Sequence, residues 1–226
     1  MIVTVRSLTR HYQQGTITVK ALRGVDLDIE KGEFTALMGP SGSGKTTLLN
    51  IIGGLDAPTG GSVVVDGKDL AKLSAGQRST LRRNRLGYVF QAYNLIPVLT
   101  AVENTEFVLN LRGVPAKERR AKAMAVLKDV GLEGMEHRRP NQLSGGQQQR
   151  VAVARAIAGD PAIVLADEPT ANLDTKTGDE LIALMRELNQ KNGVTFLFAT
   201  HDPKVMDAAT RVVRMRDGAV EADERK

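Results

Sequence analysis

The stretch Gly39-Pro40-Ser41-Gly42-Ser43-Gly44-Lys45-Thr46 carries the plainest chemistry in this chain. It matches G-x-x-x-x-G-K-[ST], in which glycines let successive backbone N–H groups turn inward around a phosphate. Side chains at those positions would obstruct the nest. Lys45 offers a point charge to β- and γ-phosphates, and Thr46 offers a hydroxyl to Mg²⁺. A chance Gly/Ser loop is the alternative, but both flanks agree with the phosphate reading. Phe34 to Met38 is an apolar run suited to a buried strand, and Thr47 to Ile52 continues as an apolar helix.

Two further apolar runs end in polar residues. Ala162 to Ala166 leads into Asp167-Glu168-Pro169. Adjacent carboxylates at the exit of a buried strand are costly to desolvate unless a cation sits there. Asp167 suits a role beside Mg²⁺, and Glu168 suits a general base toward water. Because neighbouring strand residues point to opposite sides, one is expected to face the metal and the other the nucleophile. A solvated acidic turn is the bland alternative. Val194 to Ala199 leads into Thr200-His201-Asp202-Pro203, where His201 can hydrogen-bond a phosphate in either tautomer, or serve as an ordinary surface histidine.

Leu143-Ser144-Gly145-Gly146-Gln147-Gln148-Gln149-Arg150 is a second glycine segment, opening a helix expected over Gln147 to Ala158. Free N–H groups and a positive dipole end make such a turn an anion site. Read alone it is equally an ordinary capped helix, with Ser144 as the cap.

These residues need elements to hold them. From Ile2 to Glu30 the sequence alternates, Val25, Leu27 and Ile29 on one face and Asp26, Asp28 and Glu30 on the other, as in a half-exposed antiparallel sheet. Ser62 to Val65 continues that sheet before an Asp66-Gly67 turn. Ala101 to Leu111, Ala116 to Val130 and Gln147 to Ala158 are helical by period, and Thr177 to Gln190 places Leu181, Leu184, Met185 and Leu188 on one stripe. Strands alternating with helices predict a parallel sheet. Arg211 to Met215 and Ala219 to Glu221 flank Asp217-Gly218 as a closing hairpin. No internal repeat is visible.

Composition narrows the classes. The 226 residues, 42% apolar, suit one large α/β domain. No stretch approaches the roughly 18 apolar residues of a spanning helix, and Met1 to Arg6 reads as a strand rather than a signal peptide. With no cysteine, disulfides and thiolate metal sites are excluded, which fits a reducing compartment. The net charge of +5 comes from 31 Lys and Arg against 26 Asp and Glu. It falls in separate knots (Arg82, Arg83, Arg85; Arg119, Arg120, Lys122; His137, Arg138, Arg139) rather than in the aromatic-interleaved stripe of a nucleic-acid binder. A membrane surface gains modestly from such charge, and solvated helix faces are the plain alternative.

With the phosphate loop, Gln91 after Leu86 to Phe90, the Ser-Gly-Gly-Gln segment, Asp167-Glu168, Ala171-Asn172-Leu173-Asp174 and His201 in this order, the chain resembles the ATP-binding-cassette ATPases along almost its whole length. The resemblance implies an α/β P-loop NTPase fold over residues 1–226. Such a fold has a RecA-like core with a parallel sheet, an N-terminal antiparallel β subdomain and a helical subdomain inserted at about residues 92–158. It implies that ATP is held by Tyr12, Gly39, Pro40, Ser41, Gly42, Ser43, Gly44, Lys45, Thr46 and Thr47, Tyr12 stacking on adenine by its flat face. Tyr12 as an ordinary core residue, and Gln91 as merely polar, stay open. Thr46, Gln91 and Asp167 are implied as Mg²⁺ residues, and Glu168, His201, Gln91 and Lys45 as the catalytic set. Asn172, Leu173 and Asp174 resemble a loop that crosses to a second subunit, whose ATP Asp174 and Ser144, Gly145, Gly146 and Gln147 of this chain would contact.

Within that family, Gly53-Gly54-Leu55-Asp56-Ala57-Pro58-Thr59-Gly60-Gly61, Gly87-Tyr88-Val89-Phe90-Gln91, Asn94-Leu95-Ile96-Pro97 and Glu103-Asn104 are most similar to the ATPases of lipoprotein release, macrolide and antimicrobial-peptide export, and a related cell-division system. The implied function is an ATPase powering such a transporter. It would act as a homodimer on integral membrane permease subunits carried by separate chains, with no nucleic acid, peripheral at the cytoplasmic face of the cell membrane. A non-transport ATPase driving a membrane partner in cell division or envelope signalling is the alternative. A small-molecule phosphotransferase is disfavoured, since such enzymes complete the site with a lid rather than a Ser-Gly-Gly-Gln segment.

Overall fold

The computed structural model describes all 226 residues, Met1–Lys226. Two antiparallel strands open the chain, β1 (Val3–Gln14) and β2 (Ile17–Ile29), followed by β3 (Phe34–Met38) and helix α1 (Lys45–Ile52). Strands β4 (Gly60–Val65) and β5 (Lys68–Asp69) then complete a four-stranded sheet in the order β2-β1-β4-β5. Helix α2 (Ala75–Arg85) leads to β6 (Leu86–Val89), and α3 (Ala101–Leu111), α4 (Ala116–Asp129) and α5 (Gly145–Ile157) follow without an intervening strand. The chain returns through β7 (Ile163–Asp167), α6 (Thr175–Asn192), β8 (Phe196–Thr200), α7 (Pro203–Ala208), β9 (Arg211–Arg216) and β10 (Ala219–Arg225).

The six-stranded sheet runs β10-β9-β3-β8-β7-β6. Five strands are parallel and only β10 is antiparallel, to β9. Its strands are apolar on both faces because both are covered. Phe34, Ala36, Val164, Ala166, Phe196 and Phe198 meet Val151 and Val153 of α5 and Leu181 and Met185 of α6. The alternate residues Leu37, Ile163, Leu165 and Leu197 meet Leu48, Leu49, Ile51 and Ile52 of α1 and the antiparallel sheet. Period-two alternation thus splits the core into two layers on either side of one sheet. Parallel strands bring all their C-terminal ends to one edge. The phosphate loop, Gln91, Glu168 and His201 follow β3, β6, β7 and β8 at that edge, where open α/β sheets bind ligands.

Several boundaries differ from the sequence reading. Helix α5 begins at Gly145 rather than Gln147, because Ser144 accepts from the Gln147 N–H and the Gln147 side chain returns to the Ser144 N–H, a capping box. Helix α6 begins at Thr175, capped by Asp174, and ends at Gly193, whose φ of 66° suits glycine. Strand β10 runs to Arg225 rather than Glu221. Helices α2 and α7 have no counterpart in the periodicity. Only Leu81 of α2 is buried, and α7 has six residues. Their signals are local, the Ser74/Gln77 capping box for α2 and Asp202 before Pro203 at the first helical position for α7.

Candidate functional site

The phosphate loop departs from ordinary backbone at its glycines. A Cβ on Gly39 would lie 2.2 Å from the Met215 carbonyl, and one on Gly44, where φ is 100°, would lie 2.7 Å from the Ala21 carbonyl. Both positions are therefore restricted to glycine by close approach. Gly44 opens α1 without any side-chain cap, whereas α2, α3, α5, α6 and α7 each have one. No acidic residue stands in the first turn of α1. Its leading N–H groups and dipole end are left for an external anion.

Lys45 is buried, and its Nζ donates to the Gly39 carbonyl at 2.7 Å and the Pro40 carbonyl at 3.0 Å. No carboxylate lies within ion-pair distance of it, and its direct partners are these two loop carbonyls. The buried Ser43 hydroxyl has no partner at all.

Asp167 closes β7 and accepts a hydrogen bond from the Thr46 hydroxyl at 3.0 Å. Burial pushes its carboxyl above the usual range, while the Thr46 bond pulls the other way. Strand alternation alone would part Asp167 from Glu168, but the structure separates them by a turn. Glu168 lies outside β7 with φ of 45°, in the left-handed region that costs a non-glycine residue energy. Its N–H still bonds the Ala199 carbonyl at 2.8 Å, so β8 holds the turn. The Glu168 carboxylate accepts from the Thr200 hydroxyl at 3.0 Å through Oε2 and lies 2.7 Å from His201 Nδ1 through Oε1.

Tyr12 is half-buried rather than in the core. Its hydroxyl donates to Asp56 at 2.6 Å, and the Arg10 guanidinium, paired with both Asp56 oxygens, lies 4.3 Å from the ring centre. One ring face is thus taken by a cation–π contact and the ring is locked in place. Arg10 and Asp56 escaped the sequence reading because their partners are 44 and 46 positions apart.

Tyr12, residues of the phosphate loop, Gln91, Glu168, Ala171 and His201 line one open cleft of about 790 Å³. The remaining candidates stand elsewhere. Ser144 and Gln147 are engaged with each other, Gly145 lies against Tyr93, and a Cβ on Gly146 would come 2.3 Å from Thr177. Asp174 caps α6 through the Thr177 N–H at 3.1 Å and its hydroxyl at 2.6 Å, bonds that hold its carboxyl below the usual range. None of these five residues lines the cleft formed by their own chain. Asn172 ties the two regions together, its side-chain amide donating to the Gln91 carbonyl at 2.9 Å.

The donor set fits a small hard cation. Asp167 is a half-buried carboxylate on which Lys45 acts only from beyond ion-pair contact, and the Thr46 hydroxyl beside it is a second hard oxygen. No three His, Cys, Asp or Glu side chains converge into a protein cage. Two protein oxygens leave the other positions to phosphates and water, the habit of Mg²⁺ in nucleotide sites.

Residues 22–171 match the family model described as ABC transporter. The chain is 50% identical to the lipoprotein-releasing system ATP-binding protein LolD of Anaeromyxobacter dehalogenans, covering 98% of this chain and 93% of the relative. It is 46% identical to the macrolide export ATP-binding/permease protein MacB 1/2 of Paracoccus denitrificans, covering 99% of this chain and 33% of that longer relative. It superposes with a TM-score of 0.90, at 45% identity, on a dimeric post-hydrolysis structure of the ATP-binding cassette MJ0796 bound to ADP and Pi, covering 99% of this chain and 98% of that one. MJ0796 is a protein of Methanocaldococcus jannaschii.

Proposed function

This chain belongs to the ABC transporter family, as an ATP-binding, ATP-hydrolysing subunit that powers a membrane transporter, and on that premise we propose how its residues divide the work. Full-length identity of 50% to LolD and the match to the ATP-binding part of MacB support a transporter of the lipoprotein-release or macrolide- or peptide-export type. A related ATPase of cell division or envelope signalling is the second reading, since the same subunit can drive a partner that moves without transporting. No helix is long and apolar enough to cross a membrane. Integral membrane permease subunits on separate chains supply the crossing in this reading, with this chain at their cytoplasmic face, and the 98% and 93% coverage of the match to LolD supports it. Residues 92–158, with α3, α4 and α5, form the inserted helical subdomain of the single domain 1–226.

The ATP phosphates lie over the uncapped start of α1, with Lys45 transferring its donors from the Gly39 and Pro40 carbonyls to the β- and γ-phosphates. Tyr12 offers its open ring face to adenine, Arg10 and Asp56 having fixed its orientation. Thr46 and Asp167, with Gln91 nearby, hold Mg²⁺, which supplies neutralisation of phosphate charge.

Glu168 accepts a proton from the attacking water as the water oxygen bonds to the γ-phosphorus. The bond to the β,γ-bridging oxygen breaks, and ADP leaves with the electron pair. Thr200 aims the carboxylate, and His201 turns its ring toward the γ-phosphate. Positioning and charge neutralisation carry most of such a barrier.

The observation that carries the reading is the separation of the two glycine segments. One lines the cleft, and the other, Ser144–Gly146, does not. The second is free to complete the site of another copy, so two subunits close head to tail around two ATP molecules, and loss of the γ-phosphate loosens them.

Purifying the tagged chain from its native membranes tests the transporter assignment. An integral membrane chain is expected to co-purify in fixed stoichiometry, and recovery of the chain without one overturns the assignment. The topology of the recovered partner separates transport from the second reading.

A further inference from the structure

Gln149 is a fully buried amide whose oxygen has no hydrogen-bond partner. It lies on α5, one turn beyond Gly145 and Gly146. Its Nε2 donates to the Pro169 carbonyl at 2.8 Å and to the Phe90 carbonyl at 3.2 Å. Both neighbours are acceptors, so the amide orientation is dictated: NH₂ toward the carbonyls and Oε1 left without a donor.

For packing alone this is a poor choice. An unbranched apolar side chain of similar volume avoids the orphan Oε1, though it strips the donor from the buried Pro169 carbonyl. What the amide provides is a forked donor spanning two segments that are far apart in sequence. Phe90 immediately precedes Gln91, and Pro169 immediately follows Glu168.

The surrounding contacts make the fork a rigid connection. Helix α5 is seated on β6 so closely that a Cβ on Gly87 would lie 2.5 Å from the Ala156 carbonyl. Farther along α5, Arg155 donates to the carbonyls of Tyr93 and Asn94, two successive residues in the left-handed region. Burial holds the Arg155 guanidinium below its usual pKa, and it has no carboxylate partner. The loop carrying Gln91 is thereby held in a costly conformation from one helix.

We infer that Gln149 is a positioning residue that couples the two half-sites of one subunit, tying the Ser144–Gly146 end of α5 to the segments bearing Gln91 and Glu168. The inference rests on the two-subunit reading above. Seating of the facing subunit's ATP on Ser144–Gly146 shifts α5. The fork carries that shift to Phe90 and Pro169, and so to Gln91 and Glu168 of the subunit's own cleft.

The test replaces the fork and keeps the volume. Gln149→Met is expected to fold and to bind ATP with wild-type affinity, melting somewhat below the wild type because the Pro169 carbonyl loses its donor. Its kcat is expected to fall about ten- to a hundredfold while KM stays nearly constant, as for a misplaced catalytic group. In the Glu168→Gln background, Gln149→Met should still form the ATP-driven dimer, because Ser144–Gly146 is untouched. Wild-type kcat in Gln149→Met overturns the inference while Glu168→Gln continues to dimerise. Failure of Glu168→Gln itself to dimerise with ATP overturns the two-subunit reading instead. Should Gln149→Met misfold, Gln149→Glu decides by its pH profile. A protonated buried carboxyl donates one of the two bonds and an ionised one donates neither. Activity relative to wild type should therefore rise as pH falls, and a ratio independent of pH overturns the inference.

Discussion

His201 Nδ1 and Glu168 Oε1 stand 2.7 Å apart, across the mouths of two adjacent parallel strands. The other oxygen of Glu168 accepts from Thr200, so each oxygen of the proposed base has one partner. His201 is well exposed and Glu168 is not, with side-chain exposures of 68% and 19%. The histidine is therefore the partner free to move. In the proposed mechanism a γ-phosphate would draw the ring away and leave that carboxylate oxygen to water.

Glu168→Gln keeps the hydrogen bond from Thr200 and removes basicity. Turnover is expected to fall about 10²–10⁴-fold with ATP binding retained. Near-normal hydrolysis by the purified variant would show that another group takes the proton.

Lys45→Ala removes charge-assisted bonds worth roughly 1.5–3 kcal/mol, which is about ten- to a hundredfold in affinity. Calorimetric titration with ATP measures this directly. An unchanged dissociation constant means that the uncapped start of α1 holds the phosphates without the lysine.

Ser144→Arg places a long cation where two subunits are proposed to meet. The single chain should bind ATP normally, because Ser144 is outside its own cleft. ATP-driven dimerisation of Glu168→Gln should vanish when Ser144→Arg is added. A double variant that still dimerises in sedimentation experiments is incompatible with head-to-tail closure.

Asp167 yields a prediction about pH. Its carboxyl is raised in the folded chain by burial, so between the unfolded and folded pKa values the native state binds the extra proton. The Asp167 contribution to stability is thus fully present below the unfolded pKa. It is lost as pH rises through the folded value. Asp167→Asn should therefore raise the melting temperature of the nucleotide-free chain near neutral pH, and the advantage should shrink in acid. Thermal melts across that range would contradict the assignment if the advantage grew as pH fell.

Much of the scaffold was legible because its signals are local. The Phe34–Met38 run and the glycine-lysine pattern predict both β3 and the loop that follows, and Ala101 to Leu111 reproduces α3. Helix α2 was not legible by period, since it lies on the surface with one buried residue, and only its capping box announces it. The carboxylate geometry was half legible. The residues Asp167 and Glu168 were identified, but the left-handed turn that parts them depends on the bond from Glu168 N–H to Ala199, thirty-one positions away by sequence numbering. The fork of Gln149 was illegible for the same reason, since a buried glutamine on a helix gives no periodic sign of what its amide touches.

The margins of the six-stranded sheet are guarded. On one side β10 presents Glu221, Asp223, Glu224 and Arg225, and on the other β6 is only four residues long. Charged or abbreviated borders deny a second chain the long apolar template on which strands add irreversibly. Under the proposed cycle, a molecule that joins and leaves its twin with each round of hydrolysis benefits from having no stickier way to do so. Resistance to aggregation and reversibility of assembly are, at these two borders, the same property.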